Sequence, residues 1–410
     1  MPTTKIPLNK LTIGHYVNLP LSWTMHPFLR SSFKVKSEDE LIVLRNLPFD
    51  EIDVDLDKSD IQVSVTIPSF NHSAFVAPIA HRSINAAEKF QQQQKRQQRK
   101  TERLYNDHIE LLKNSISHLN SNPTLAYTEQ LHCVENLCKS ILTKQHHPNV
   151  YLILNAKNGD HIFQHSLNVA VLTILVAKTL NYHHGSTQQL ALVALIQDLG
   201  MLRVPYQIRH KKTELSSVEK NYYQAHVGYS VELLRRASFP KELIELVALH
   251  HERLDGSGYP KGVNEMSEMA QLIQVTDYYD VLINPPPWQK AIPPQLAIAV
   301  LLKNAGKLFN RQVVEALALS LGIYPPGTCV QLDDKRYALV AASNPDDKLK
   351  PYVKVLSEDG DAQFDELPID DLQMLNTTIK HTPNFEQLPE NIAKSLSTYH
   401  LDFSHHPEGK

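Results

Sequence analysis

The sequence predicts a mainly α-helical protein, with a small α/β module ahead of the helices and a short β extension behind them. Three observations lead there. Between 125 and 322, apolar residues recur at helical spacing in run after run, and Leu190-Ala191-Leu192-Val193-Ala194-Leu195-Ile196 is apolar on all sides, as a central buried helix is. Phe49 to Leu56 instead alternates polar and apolar residues, the period of a half-buried strand. After Gly322 the period changes again: Cys329 to Leu332, Tyr337 to Ala341 and Tyr352 to Leu356 read as short strands, with turns at Pro325-Pro326-Gly327 and Asn344-Pro345-Asp346. The implied boundaries are 1–83 for the α/β module, 84–124 for a Gln-rich connector helix, 125–322 for the helical domain, 323–375 for the β extension and 376–410 for a polar tail.

In chain order, Lys5 to Leu21 reads as a strand entering a turn, and Trp23, Phe28 and Phe33 are apolar anchors. Ser37 with Glu40 is a capping-box pattern ahead of Leu41, so a short helix is expected there. The acidic residues Asp53, Asp55 and Asp57 fall on an alternating strand and are read as a solvated face rather than a metal site. Ile61 to Phe75 is a further strand region. From 84 to 122 no proline or glycine interrupts a run of good helix formers, and an apolar stripe of Leu104, Leu111/Leu112, Ile116 and Leu119 appears only in its second half. The absence of sustained heptads favours a solvent-exposed connector over a dimerising coiled coil, which would make a homodimer. Ser186 with Gln189, and Ser216 with Glu219, are capping-box patterns ahead of the helices leading to Asp198 and bearing His226. Pro285-Pro286-Pro287 ends the helix that carries Asp277, and the late pair His405-His406 is read as solvated.

Composition narrows the class. At 410 residues and 42% hydrophobic content the chain can bury a large core. A formal charge of −3 gives no reason to expect a nucleic-acid partner. Cys133, Cys138 and Cys329 are odd in number and fit no CxxC spacing, which suits a reducing cytoplasm. The longest apolar stretch, around Val169 to Ala177, is too short to span a bilayer, and a soluble cytoplasmic protein is expected.

The densest chemistry lies in His250-His251-Glu252-Arg253-Leu254-Asp255-Gly256-Ser257-Gly258-Tyr259-Pro260, where two histidines end an apolar helical run and a Gly-rich turn follows. Leu243, Val247 and His250/His251 share one helical face, so an imidazole should point inward and need a partner. His165, Asp198, His226 and Asp277 also sit among apolar residues that draw them inward. Imidazoles and carboxylates brought by several helices to one interior are how helical folds build metal sites. His251-Glu252 does not continue as a zinc-peptidase motif, because Asp255 stands where the second histidine would be.

The set His165-Ser166-Leu167-Asn168-Val169, Gln197-Asp198-Leu199-Gly200, His226-Val227-Gly228, His250-His251-Glu252 with Asp255-Gly256-Ser257-Gly258-Tyr259-Pro260, and Asp277-Tyr278-Tyr279-Asp280 resembles, in order and spacing, an HD-GYP domain. That family has the helical HD-type fold of metal-dependent phosphohydrolases, and its members cleave cyclic di-GMP. The N-terminal region resembles the domain of unknown role that often precedes it, through Leu11-Thr12-Ile13-Gly14-His15-Tyr16-Val17, Trp23, His26-Pro27-Phe28 and Asp53-Val54-Asp55. The resemblance implies two metal ions bridged by Asp198. One would use His226, His250 and His251, the other His165, Asp277 and the residue before Asp198. That residue is Gln197 where the family has histidine, a neutral and harder donor. The expected cofactor is thus a divalent transition metal, iron or manganese, with one ion firmly bound and the second in question. Asp198 and Gln197 would be the catalytic positions. Asp255, Gly256, Gly258, Tyr259 and Pro260 would contact cyclic di-GMP or another signalling protein. Met201 replaces a family lysine, and Pro286 and Gln289 replace family arginines, all associated with phosphate. Arg203, Lys211 and Lys212 are candidates to compensate. Two functions follow from the resemblance: a weakened cyclic di-GMP phosphodiesterase, or a catalytically inactive module that binds a cyclic dinucleotide or a protein.

Overall fold

A computed structural model describes residues 3–19, 32–36, 41, 44, 51–55, 58–59, 84–119, 121–142, 161–344, 347, 349–356, 369–383 and 388–397. Trp23, His26 to Phe28, Ser37 to Glu40, Phe49, Asp57, Ile61 to Phe75, Pro345-Asp346 and His405-His406 lie outside those residues.

The chain forms two compact units, 1–92 and 93–410. In the first, β1 (Thr3–Pro7), β2 (Tyr16–Asn18), β3 (Ser32–Lys34) and β4 (Glu51–Asp55) make an antiparallel sheet in the order β1-β4-β2-β3. Ile6 faces Ile52 and Val17 faces Val54, so the alternating side chains of β4 line a small core with Leu8, Leu11 and Leu44. Asp55 departs from the expected solvated face. It is buried, and its carboxylate pairs with Lys58 at 2.8 Å, as a charge withdrawn from water must.

The longer helices are α1 (Ile84–His118), which enters the second unit at residue 93, then α2 (Pro123–Leu142), α3 (His161–Thr179), α4 (His184–Ile196), α5 (Ser217–Gln224), α6 (His226–Arg236), α7 (Lys241–Leu249), α8 (Glu268–Ile283), α9 (Pro294–Lys303) and α10 (Arg311–Leu321). Helices α3 and α4 are buried on nearly every side and form the centre, with Val169 to Leu172 and Leu190 to Ile196 inside. By length and composition α3 could cross a membrane, since it extends beyond the expected apolar stretch. However, 83% of its apolar window is buried in this core, the behaviour of a central helix. The cysteines are free, and burial pushes the Cys133 thiol up to about 12.

Several boundaries differ from the expectation. The second half of α1 is no solvated connector, because Tyr105, Ile109, Leu112 and Leu119 join the main core. Helix α4 begins at His184 rather than behind Ser186, and the His183 imidazole caps it by accepting the Ser186 N–H. Ser216 and Glu219 do form a capping box, but on α5, which stops at Gln224; His226 opens a separate helix. Beyond Gly322 lie β5 (Cys329–Leu332), β6 (Tyr337–Ala342), β7 (Tyr352–Val355), β8 (Asp370–Asp371) and β9 (Ile379–His381), in the antiparallel order β8-β7-β6-β5-β9. The tail therefore contributes a strand to this sheet, and it also holds α11 (Glu390–Ser397).

Candidate metal centre

Asp198 follows the last turn of α4, on the entry to a 3-10 turn at Leu199–Arg203. Gly200 sets that turn against α6. Its N–H donates to Ser230 Oγ at 2.8 Å, and a Cβ at this position would fall 2.0 Å from the His226 carbonyl oxygen. The contact brings Asp198 beside His226, the first residue of α6. His250 caps the end of α7 and His251 follows it, while Asp277 projects from α8 and His165 from α3. The side chains of all six reach one interior.

The imidazoles are oriented from behind. His226 Nδ1–H donates to the Tyr223 carbonyl and His250 Nδ1–H to the Val247 carbonyl, both at 2.6 Å. In its neutral form each ring therefore presents the lone pair of Nε2 to the interior. These two nitrogens lie 3.4 Å apart and face Asp198 Oδ1 at 3.2 and 3.5 Å. His251 Nδ1 faces Asp277 Oδ2 at 3.3 Å. On the other side of Asp198, Oδ2 lies 3.3 Å from His165 Nε2, which is 3.0 Å from Asp277 Oδ1. The donor atoms thus form two sets that share Asp198. One is Asp198, His226, His250 and His251, the other His165, Asp198 and Asp277, with all atoms of a set within 4.8 Å of one another.

A divalent transition metal fits this arrangement. The buried oxygens Asp198 Oδ1, Asp277 Oδ2 and Gln197 Oε1 have no hydrogen-bond partner among the described residues. For Asp198 Oδ1 the reason is visible: it meets two nitrogen lone pairs rather than N–H groups, a repulsive array that a cation converts into coordination. Two imidazole nitrogens sharing an ion at about 2.1 Å stand about 3.4 Å apart, which is the separation of His226 and His250. Mixed nitrogen and oxygen donors suit borderline first-row metals.

The charges are mutually held. Burial alone would raise Asp198 and Asp277, yet His165 beside Asp198, and His251 with His165 beside Asp277, keep both carboxyls below the usual range. Burial opposes a charged His165, but Asp198, Asp277 and Asp280 hold its pKa well above the ordinary value. Burial, then the adjacent His250, push His251 down to about 3, so its ring stays neutral and able to ligate.

Gln197 is fully buried, and its Nε2 donates to Asp277 Oδ1 at 2.8 Å. The amide thus gives its hydrogen-bonding end to a carboxylate that belongs to the second set. The candidate compensating cations are engaged elsewhere: Arg203 pairs with Glu232 at 2.7 Å and Lys211 with Glu219 at 2.5 Å, while Lys212 is exposed. Met201 packs with Ile162, Val204 and Ile208, so the position carries an apolar contact instead of a charge. Pro286 is buried and Gln289 exposed on the loop after α8.

The Gly-rich turn is built around Glu252. Its buried carboxylate accepts the N–H of Lys261 at 2.8 Å and of Val263 at 3.0 Å, drawing the loop back onto the end of α7. Gly258 is required where the loop returns, because a Cβ there would stand 2.4 Å from Glu252 Cα. Asp255 is exposed and accepts the Ser257 N–H at 3.0 Å; it shapes the turn at Gly256, whose φ is +76°. Tyr259 lies over His251, with ring centroids 4.7 Å apart, and Pro260 is exposed.

Sequence reasoning gave no role to the groups that hold His165. Its Nδ1 donates to Asp280 Oδ2 at 2.8 Å, and Asp280 Oδ1 accepts from Asn168 at 3.0 Å and Asn284 at 2.8 Å. The signal was present as polar residues at i+3 and i+4 on otherwise apolar faces: Asn168 after His165, Asp280 after Asp277, and Asn284 after Asp280. Glu252 falls within the His250-His251-Glu252 motif but its hold on the turn leaves no sequence signal, and Tyr223, whose carbonyl orients His226, stands in no motif.

Comparison with known proteins finds relatives along both the helical region and the N-terminal region. Residues 150–313 match the HD domain family, and residues 3–130 match a domain of unknown function, DUF3391. A cyclic di-GMP phosphodiesterase of Pseudomonas aeruginosa is 28% identical over 372 residues, covering 86% of this chain and 84% of that protein. A 3′3′-cGAMP-specific phosphodiesterase of Vibrio cholerae is 35% identical over 175 residues, covering 42% of this chain and 38% of the relative. Among solved structures, an HDGYP protein from Bdellovibrio bacteriovorus is similar at 17% identity and a TM-score of 0.46, covering 77% of this chain and 98% of that one. The chain thus carries an HD domain over residues 150–313, in which the motif set from His165 to Asp277 resembles that of HD-GYP proteins, with the domain of unknown function ahead of it.

Proposed function

We propose that the chain is a metal-dependent phosphodiesterase acting on cyclic di-GMP, with turnover weakened at the second donor set. The observation that carries this reading is the convergence of the His226 and His250 lone pairs on an unpartnered oxygen of Asp198. When bound, a divalent ion supplies Lewis acidity toward a phosphodiester oxygen and lowers the pKa of water. Asp198, His226, His250 and His251 would hold one ion, iron or manganese. His165, Asp198 and Asp277 would hold a second less firmly, because Asp277 Oδ1 already accepts from Gln197 and the amide replaces an imidazole. The protein's own part is orientation. Backbone carbonyls fix the two imidazoles, Asp280 fixes His165, and Glu252 holds Tyr259 against His251.

The second reading is a non-catalytic module that binds a cyclic dinucleotide or a protein through the turn at Asp255 to Pro260. It is favoured by the cations of Arg203 and Lys211 being committed to carboxylates. The deciding experiment combines elemental analysis of protein purified without chelator with product formation from cyclic di-GMP in manganese or ferrous iron. The expected result is one firmly held ion per chain, a second lost on mild dialysis, and slow hydrolysis. Two ions that survive dialysis would contradict the assignment of a weak second set. A loaded protein that binds cyclic di-GMP but never turns it over would favour the module.

A further inference from the structure

Two phenols stand at the metal centre with their rings committed and their hydroxyls unpartnered. Tyr223, near the end of α5, lies edge-on to His226 with centroids 5.5 Å apart and edge-on to Trp288 at 4.9 Å. Its carbonyl is the acceptor that orients His226, so the residue is fixed to the donor set through both backbone and ring. Tyr259 covers His251, with planes 36° apart, and its ring is 6.4 Å from that of His226. Among the described residues neither hydroxyl makes a hydrogen bond, although both side chains are largely withdrawn from water. Neither hydroxyl is among the fully buried polar atoms, so each is open to water or to a ligand.

We propose that Tyr223 and Tyr259 donate hydrogen bonds from their hydroxyls to the non-bridging oxygens of the bound phosphodiester. The inference rests on the phosphodiesterase reading above, and Tyr223 is the member that no motif indicates. Several observations favour phosphate over a nucleobase as the recipient. The Tyr259 face already lies on His251, and Tyr223 is wedged between His226 and Trp288, so both rings are occupied. Both groups are phenols, which carry a proton to donate at neutral pH. Nearby basic groups have other partners. Arg203 pairs with Glu232, Lys211 pairs with Glu219, and Arg253 donates to the carbonyls of His250 and Glu252.

The test uses the full chain as wild type, Tyr223→Phe, Tyr259→Phe and the double variant, at matched metal content. Each is titrated with cyclic di-GMP and, separately, with bis(4-nitrophenyl) phosphate, a phosphodiester that carries no purine. Phenylalanine retains the ring contacts and removes only the hydroxyl, and a thermal melt checks that the fold is kept. Each single variant is expected to bind both ligands about tenfold to a hundredfold more weakly, the size of a hydrogen bond to a charged group. Wild-type affinity in Tyr223→Phe overturns the inference while the phosphodiesterase reading stands. A loss confined to cyclic di-GMP also overturns it, because the hydroxyls would then read the base. If the wild type binds neither ligand, the phosphodiesterase reading fails and the inference falls with it.

Discussion

Gln197 sets apart the two donor sets that share Asp198. Its amide donates to Asp277 Oδ1 and leaves its own buried oxygen without a partner, so it supports a carboxylate instead of presenting an imidazole. Replacing it tests that difference directly. Gln197→His is expected to raise the metal content per chain measured by elemental analysis, since a second imidazole would join the donors of His165, Asp198 and Asp277. Hydrolysis of cyclic di-GMP is expected to stay slow, because Met201 remains packed among Ile162, Val204 and Ile208 and brings no charge to a phosphate. A large gain in turnover from this single change would mean that the missing imidazole was the whole defect. The residues that come together in the two donor sets were legible, because polar residues on apolar helical faces are conspicuous. Their supports were not. Tyr223 meets His226 through a carbonyl and Trp288 through tertiary packing, and neither relation leaves a periodic trace.

At the scale of elements, the site depends on where the 3-10 turn after α4 meets α6. Gly200 is the closest point of that contact, with a Cβ position 2.5 Å from Ser230 N and 2.0 Å from His226 O. Gly200→Ala therefore must push the Asp198 turn away from His226. The expected cost is about 1–3 kcal/mol, as for overpacking generally, together with a fall in bound metal. Gly228 supplies the control. It lies in α6 with nothing within 4 Å of its Cβ position, so Gly228→Ala is expected to stabilise by about 0.5–1 kcal/mol. Equal effects of the two substitutions on urea midpoint and metal content would refute this account of the turn. Helix existence was readable from period 3.6 throughout this region, whereas helix starts were read less well. His183 caps α4 although histidine is not among the usual capping residues, and α5 and α6 are separated at Ala225, inside what reads as one run.

For the molecule as a whole, the consequential boundary is the one through α1. A stripe of leucines only in the second half of a polar helix was legible, but its destination was not, since sequence does not reveal which core a stripe enters. Tyr105, Ile109, Leu112 and Leu119 are at most 5% exposed and belong to the core of the helical domain, and His118 adds a 3.0 Å pair with Glu129 of α2. The same docked region includes the unpartnered buried groups Tyr105 OH, His108 Nε2 and the Gln130 amide, which subtract from the gain. A chain starting at 93 keeps all of these contacts and every metal donor, so it is expected to melt cooperatively and retain its metal. A chain starting at 125 loses the four buried apolar side chains Tyr105, Ile109, Leu112 and Leu119, each contributing about 1.5–3 kcal/mol as an upper figure. Against a total stability of about 5–15 kcal/mol, that loss is enough to leave the domain unfolded or loosely packed. Thermal melts followed by near-ultraviolet circular dichroism distinguish the two cases. If the shorter chain melts as sharply and as high as the longer one, α1 is only a connector and its buried stripe contributes little to the fold.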